Sequence, residues 1–254
     1  MRRFENKTIL VTGAGSGIGA ATVRRLFAEG ASIAAADVRK ADVDKVVSEF
    51  GGDDRIYSVE VDISDRAQVA AFVAGAVERF GKLDGLVNSA GIRGVGSVLD
   101  TSAELMRHVL SVNLEGTFYV CQAFVLAVKE AKNPAAIVNL SSSAGIRGVP
   151  NRISYAASKY GIVGITQTMA LELGPIGIRV NAVVPGMIHT PMTQPMFDDP
   201  ANVERIRAAH PIGREGQPED VAAVIAFLLS DDAGFVTGVA LPIDGGKSAG
   251  IASF

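Results

Sequence analysis

Twelve residues near the start of the chain, Thr8-Ile9-Leu10-Val11-Thr12-Gly13-Ala14-Gly15-Ser16-Gly17-Ile18-Gly19, constrain its fold more than any other stretch. An apolar, β-branched run ends in glycines, and a helix-like pattern, Ala20-Ala21-Thr22-Val23-Arg24-Arg25-Leu26, follows at once. A buried parallel strand that turns tightly into a helix has this composition. Glycine admits positive φ and lets an anionic group approach the backbone amides with no Cβ in the way. The helix N-terminus adds unpaired N–H groups and the positive end of its dipole. Glycines alone also suit a flexible hairpin. Here a second apolar run, Ala31-Ser32-Ile33-Ala34-Ala35-Ala36, closes on Asp37, 18 positions past Gly19. That is near the spacing of roughly 20 at which a carboxylate meets a ribose. Strand, glycine turn, helix and acid together predict a dinucleotide site.

The chain has 254 residues, 48% hydrophobic and 20% charged, enough for one large core. A net charge of -3 with scattered basic residues gives no general attraction to nucleic acid or to an anionic membrane. The single cysteine, Cys121, excludes an internal disulfide and sits in an apolar helical stretch, where a free cysteine acts as a small core residue. His108, His189 and His210 lack metal-ligand spacing, so no metal is expected and no catalysis is assigned to them. The sequence shows neither an apolar signal segment before the first strand nor an uninterrupted apolar run of bilayer length. A soluble cytoplasmic protein is the expectation.

Strand-like and helix-like segments alternate to the end, the pattern of a parallel sheet with helices on both faces. Seven strands are predicted: Thr8 to Thr12, a run ending at Asp37, Ile56 to Val61, Leu83 to Val87, Ala135 to Leu140, Arg179 to Val184, and Ala240 to Ile243. Helices are expected from Gly17 to Glu29, Lys40 to Phe50, Arg66 to Phe80, Ser102 to Ala131, Tyr155 to Leu173 and Pro218 to Leu229. Either Ser64 or Asp65 suits the cap of the third. Asp62 lies at the carboxyl end of a strand, where ligands sit in open α/β sheets, and its spacing equally suits a turn carboxylate. Asn113 falls mid-helix, where its side chain competes for backbone hydrogen bonds, and its apolar neighbours favour a structural or catalytic use. No repeat or linker divides residues 1–254, so one domain is expected, with residues 187–213 as a proline-punctuated segment over the site.

Tyr155 and Lys159 stand four apart on a helix and share a face. A free phenol, with a pKa of about 10, is too weak an acid for work near neutrality. A neighbouring ammonium favours the phenolate and a nearby serine hydroxyl can bond a substrate oxygen. Such groups protonate a carbonyl as hydride arrives, or deprotonate an alcohol as hydride leaves, chemistry suited to a nicotinamide cofactor. A Tyr/Lys pair alone is more often a surface pair. Its coincidence with the glycine loop and the upstream Ser141-Ser142-Ser143 carries the reading.

With these pieces, and with Asn88-Ser89-Ala90-Gly91, Asn113, and Pro185-Gly186 followed by Thr190, the chain resembles the short-chain dehydrogenase/reductase family over essentially its whole length. The resemblance implies a single Rossmann-type, doubly wound, seven-stranded parallel sheet and an Asn113, Ser142, Tyr155, Lys159 tetrad. Tyr155 would be the acid/base. Lys159 would lower its pKa and bind the nicotinamide ribose, and Asn113 would hold a water in a proton relay. Family spacing places the serine thirteen before the tyrosine, at Ser142, and strand alternation turns its two neighbours away. Cofactor contacts are implied at Gly13, Ser16, Gly17, Ile18, Gly19, Asp37, Asp62, Ile63, Asn88, Ala90, Gly91, Tyr155, Lys159, Pro185, Gly186, Ile188 and Thr190. Asp62 and Ile63 would meet adenine, and Ile188 and Thr190 the carboxamide. Ser89 stands where the family commonly has a second asparagine, which puts the bonding of the central strand in question.

Asp37 can bond both ribose hydroxyls and would repel a 2′-phosphate. The positions where NADP-preferring members carry a basic residue hold Ser16 and Val38, with Arg39 one further on. NAD is the expected cofactor, and interconversion of a secondary alcohol and a ketone the expected reaction. An NADPH-dependent 3-ketoacyl reductase is the alternative, and a non-catalytic dinucleotide-binding regulator a more distant one. Met192, Met196 and Phe197 suit an adaptable apolar lid or ordinary packing, while Arg93, Arg147 and Arg152 suit an anionic substrate group or solvent. The resemblance further suggests a homotetramer packed through the long helices carrying Phe118, Phe124, Val128, Ile162, Ile165 and Met169, with the chain end from Lys247 to Phe254 reaching a neighbour or fraying.

Overall fold

The computed structural model describes residues 2–250. The last four residues, which include Phe254, lie outside the described part. Seven parallel strands form one sheet in the order β3-β2-β1-β4-β5-β6-β7. They are β1 Thr8–Thr12, β2 Ser32–Asp37, β3 Ile56–Glu60, β4 Gly85–Asn88, β5 Ala135–Leu140, β6 Ile178–Pro185 and β7 Ala240–Ile243. The expected fold class holds, and strand bounds differ from the sequence reading by two residues at most. The helices are α1 Gly17–Ala28, α2 Lys40–Ser48, α3 Arg66–Phe80, α4 Ala103–Leu110, α5 Thr117–Glu130, α6 Ile153–Leu173, α7 Pro200–Ala208 and α8 Pro218–Leu229.

Strand alternation divides the core in two. Ile9, Val11, Ile33, Ala35, Val87, Val138 and Val183 face α1 and α8, where Ala20, Val23, Val221 and Ile225 cover them. Leu10, Ala34, Ala36, Leu86, Ile137 and Val180 face the other way, under Val69, Phe72 and Val73 of α3 and Val120, Cys121 and Phe124 of α5. Both faces of the inner strands β1, β4 and β5 are buried, so these strands read as continuous apolar runs, whereas the edge strands β3 and β7 are partly open.

The single helix expected over Ser102 to Ala131 is interrupted. Ser111–Gly116 winds as a π-turn between α4 and α5, centred on Asn113. Through that turn Ala103–Glu130 runs continuously for 28 residues, with an 18-residue window of mean hydropathy 1.4. It therefore has the length and apolarity to cross a bilayer, although no uninterrupted apolar run marks it in the sequence. Its inner face belongs to the core, with Val109, Val120, Cys121, Phe124 and Val128 buried.

The strand order reverses between β1 and β4, opening a crevice at their carboxyl ends. Gly13, at φ +64°, is packed there so closely that a Cβ would lie 2.6 Å from the Ala90 nitrogen. A Cβ on Gly19 would collide with the Gly13 carbonyl. The first glycine makes the turn and the last lets α1 approach the strand end. A second cavity, bordered by Lys7, Asp84 and Ile178, opens at the amino edge, away from this crevice.

Candidate active site

The cofactor half of the crevice begins at α1. Its N-cap Ser16 makes no side-chain cap bond, which leaves the first-turn N–H groups directed at the crevice. Asp37 ends β2 and is almost fully buried; its two oxygens accept the Gly15 N–H and the Arg39 N–H, each at 3.0 Å. A carboxylate has further lone pairs on both oxygens, so the ribose-binding capacity remains. A donor-lined helix end, a cradle that tolerates no Cβ and an acceptor at the neighbouring strand end fit a dinucleotide.

The neighbouring basic residues are already paired. Arg39 binds Asp42, and Lys40 binds Asp44. Asp65 caps α3 by accepting from Ala67 and Gln68, which decides between it and Ser64. Asp62 accepts the Ser64 N–H at 2.9 Å and hydroxyl at 2.7 Å through Oδ1, a turn carboxylate whose Oδ2 makes no bond.

Several side chains at positions implied for cofactor contact serve the core. Ile63 packs under Gly116, and Ile188 joins the core on the α8 side. Asn88 donates from Nδ2 to Asn139 Oδ1 at 2.9 Å and to Cys121 Sγ at 3.2 Å. Asn139 in turn donates to Thr166 Oγ1 at 2.9 Å. The backbones of these residues, rather than their side chains, are what the strand ends present. This buried ladder ties β4 to β5 and α6, and Ser89 lies apart from it beside Gly19. Burial drives the Cys121 thiol up to about 12.

The catalytic half is built on α6. Ser154, Ser158, Ile162, Thr166 and Ala170, four apart, form its buried stripe, in which all but Ile162 are small. Lys159, one position off the stripe, is carried to the end of β5, where Nζ donates to the Leu140 carbonyl at 2.8 Å. Burial lowers its pKa to about 8. Burial raises the pKa of Tyr155, against hydrogen bonding from Ser142 and the charges of Arg152 and Arg93. The sequence reading gave the lowering role to Lys159. Its Nζ instead lies 5.6 Å from the Tyr155 ring centre and is engaged with Leu140. Ser142 faces the tyrosine, whereas Ser141 is buried and donates to the Lys159 carbonyl at 2.8 Å.

Asn113 is fully buried in the π-turn, and its carboxamide is a clamp. Oδ1 accepts the Ile92 N–H at 2.8 Å, and Nδ2 donates to the Ile92 carbonyl at 3.0 Å and to Ser158 Oγ at 3.1 Å. Its backbone carbonyl accepts Thr117 Oγ1 at 2.7 Å. The second lone pair of that carbonyl is left for a relay water, the role the resemblance implies for Asn113. Ser158, which also donates to the Tyr155 carbonyl at 2.7 Å, links the clamp to α6. Sequence reasoning passed over it, although it stands inside the Tyr155-to-Lys159 motif on the four-residue stripe.

Pro185 and Gly186 end β6 and lead into the segment above the crevice. Thr193 organises it: its hydroxyl donates to the Ile188 carbonyl at 2.6 Å and accepts the Thr190 N–H at 3.0 Å. Thr190 sits over Gly17. His210, buried, binds the Ile206 carbonyl through Nδ1 and accepts the Met187 N–H at 3.4 Å through Nε2, which ties α7 to the end of β6. Phe197 stacks on His189 at 4.3 Å. Arg93 donates to the Met192 carbonyl at 3.2 Å, and Arg147 to the Lys247 carbonyl at 3.2 Å.

Comparison with known proteins agrees with this geometry. The family model described as Enoyl-(Acyl carrier protein) reductase matches residues 13–248. Levodione reductase of Leifsonia aquatica is 42% identical over 97% of this chain and 96% of its own length. A crystal structure of a levodione reductase superposes with a TM-score of 0.93 at 40% identity, covering 98% of this chain and 100% of that one. Cyclohexanol dehydrogenase of an Acinetobacter strain is 42% identical over 96% of this chain and 95% of its own. A 3-oxoacyl-[acyl-carrier-protein] reductase of Thermotoga maritima is 42% identical over 96% and 98%. With its glycine crevice, its Tyr155 and Lys159 on α6 and full-length relatives of this kind, the chain belongs to the short-chain dehydrogenase/reductase family, oxidoreductases that use a nicotinamide dinucleotide.

Proposed function

We propose that this chain is an NAD-preferring dehydrogenase of a secondary alcohol, running in reverse as a ketone reductase, with Tyr155 as its acid/base. The observation that carries the reaction is the half-buried Tyr155 at the carboxyl edge of the sheet, with Lys159 Nζ 5.6 Å from its ring centre and the Ser142 hydroxyl beside its phenol. When bound, the nicotinamide supplies or accepts the hydride. Tyr155 takes the alcohol proton as the carbonyl forms, or gives it back in reduction. Ser142 donates to the substrate oxygen. Lys159, anchored on Leu140, holds the cofactor ribose and carries protons away from the phenol. Asn113 and Ser158 fix the first turn of α6, so that the phenol keeps its direction. Residues 187–213 close over the substrate.

The preference for NAD rests on Asp37 and on the pairing of Arg39 and Lys40 with their own carboxylates. A 2′-phosphate would meet the Asp37 charge without a free cation beside it. The names of two relatives, levodione reductase and cyclohexanol dehydrogenase, support a cyclic alcohol or ketone. The Thermotoga maritima relative supports a second reading, an NADPH-dependent 3-ketoacyl reductase, against which Asp37 stands. A homotetramer is part of the proposal. Phe124, Val128 and Ile162 are buried in the fold, so the faces left for packing carry Phe118, Leu126, Tyr160 and Leu171 instead.

Reduced-nicotinamide absorbance, followed with NAD⁺ or NADP⁺ against cyclic and acyclic secondary alcohols and 3-hydroxyacyl thioesters, tests the reading. Turnover of an alcohol with NAD⁺ at least tenfold faster than with NADP⁺ is expected, on the order of one lost charge interaction. Preference for NADP⁺ and a thioester would overturn it.

A further inference from the structure

Two arginines at the mouth of the site have no carboxylate. Arg93 lies in the loop after β4, and Arg152 immediately precedes α6. A backbone bridge pairs Gly96 with Arg152: the Gly96 N–H donates to the Asn151 carbonyl at 3.1 Å and the Ile153 N–H to the Gly96 carbonyl at 3.4 Å. The bridge zips the two loops together and brings both guanidiniums to the same end of α6. Arg152 lies one helical turn before Tyr155, on the same side of the helix. Both positive charges act on the Tyr155 phenol, and Arg93 also acts on Arg152.

Among the described residues neither guanidinium forms a salt bridge. Each donates only to a carbonyl, Arg93 to Met192 at 3.2 Å and Arg152 to Asn151 at 2.9 Å. Elsewhere on the surface Arg24, Arg207 and Arg214 each meet a carboxylate. Two like charges, partly buried in loops joined by this bridge, disfavour one another, and the arrangement is relieved by an anion that both can reach. The planar fork of a guanidinium matches the two oxygens of a carboxylate. Most of the donors of both arginines remain available for it.

We propose that Arg93 and Arg152 form an anion subsite beside Tyr155, and that the substrate is a secondary alcohol, or its ketone, bearing a carboxylate held by this pair. The inference rests on the reading of the site as an alcohol dehydrogenase and narrows its substrate class. Because Arg93 also holds the Met192 carbonyl, a carboxylate that draws Arg93 inward is coupled to the position of residues 187–213.

Two measurements test it. In the first, cyclohexanecarboxylate and its neutral isostere cyclohexanecarboxamide are titrated into the enzyme saturated with NAD⁺. The carboxylate should bind tighter by about tenfold or more, the scale of a charge-assisted bond. The preference should weaken with salt, disappear in the double variant R93Q/R152Q and survive in part in R152K. In the second, kcat/KM for a hydroxycyclohexanecarboxylate is compared with that for its methyl ester. The acid-to-ester ratio should exceed about ten in the wild type and fall toward one in the double variant.

Equal binding of acid and amide, no measurable binding of the acid, or a preference that persists in R93Q/R152Q would overturn the subsite. So would variants that shift the pH profile equally for acid and ester, since the arginines would then serve only the Tyr155 phenolate. If neither alcohol is oxidised but the carboxylate preference is present and lost in the double variant, the subsite stands and the dehydrogenase reading fails. If the ester is oxidised as well as the acid, the dehydrogenase reading stands and the subsite falls.

Discussion

Lys159 carries a cost that its function explains. Its pKa falls from 10.5 to about 8 through burial, and at 1.36 kcal/mol per unit the buried ammonium opposes folding by about 3 kcal/mol. The folded pKa is the lower one, so this cost is full below about pH 8 and is relieved as pH rises toward the unfolded value of 10.5. Lys159→Met should therefore raise stability at neutral pH by about 1–2 kcal/mol, after the lost bond to Leu140 is counted, while abolishing turnover. Thermal unfolding beside an activity assay checks this, and a lower Tm in the variant would count against it. Tyr155 is pushed the other way, so its neutral form predominates near neutrality. Alcohol oxidation, which needs the phenolate, should therefore rise with pH and reach no plateau below the ordinary phenol value of 10.0, whereas ketone reduction should not rise. At this scale the sequence shows which residues matter, because Asp37, Tyr155 and Lys159 occupy strand ends and one helix face. It does not show what they touch. The bond from Lys159 to Leu140 depends on where β5 ends relative to α6, which no local spacing encodes.

The π-turn at Asn113 is the element on which the catalytic half depends. Its carboxamide makes three buried bonds, two to Ile92 and one to Ser158. Asn113→Ala would leave the Ile92 N–H and carbonyl without partners, at a cost of about 3 kcal/mol or more. Chemical denaturation should show that loss, together with a fall in kcat that exceeds any change in dinucleotide affinity. Wild-type stability in the variant would remove the clamp from the account. The interruption was invisible to hydropathy, because the apolar composition continues through it; only an asparagine among Val109, Val112 and Leu114 hinted at it. The sequence reading allows short helix in residues 187–213 but does not bound α7, although Asp199 followed by Pro200 is a start signal and the Asp199 carboxylate caps it. Strands were legible because buried parallel strands are short, apolar and bounded by turns.

For the whole molecule, the outward faces of α5 and α6 leave Leu126 at 62% and Leu171 at 81% exposure, and the proposed homotetramer would cover them. Light scattering should give about four times the chain mass, and Leu126→Glu with Leu171→Glu should reduce it. A monomeric wild type would contradict the assembly and leave the fold intact. The architecture itself was readable because seven apolar runs alternate with amphipathic stretches, whereas the packing of copies depends on surfaces whose periodicity also serves the core. The claim on which the account turns is proton transfer by Tyr155, and Tyr155→Phe tests it most directly. With the best alcohol found, the variant should lose turnover by about a thousandfold or more while binding NAD⁺ within about threefold of the wild type. A variant that binds the dinucleotide and still oxidises the alcohol at a comparable rate would contradict it.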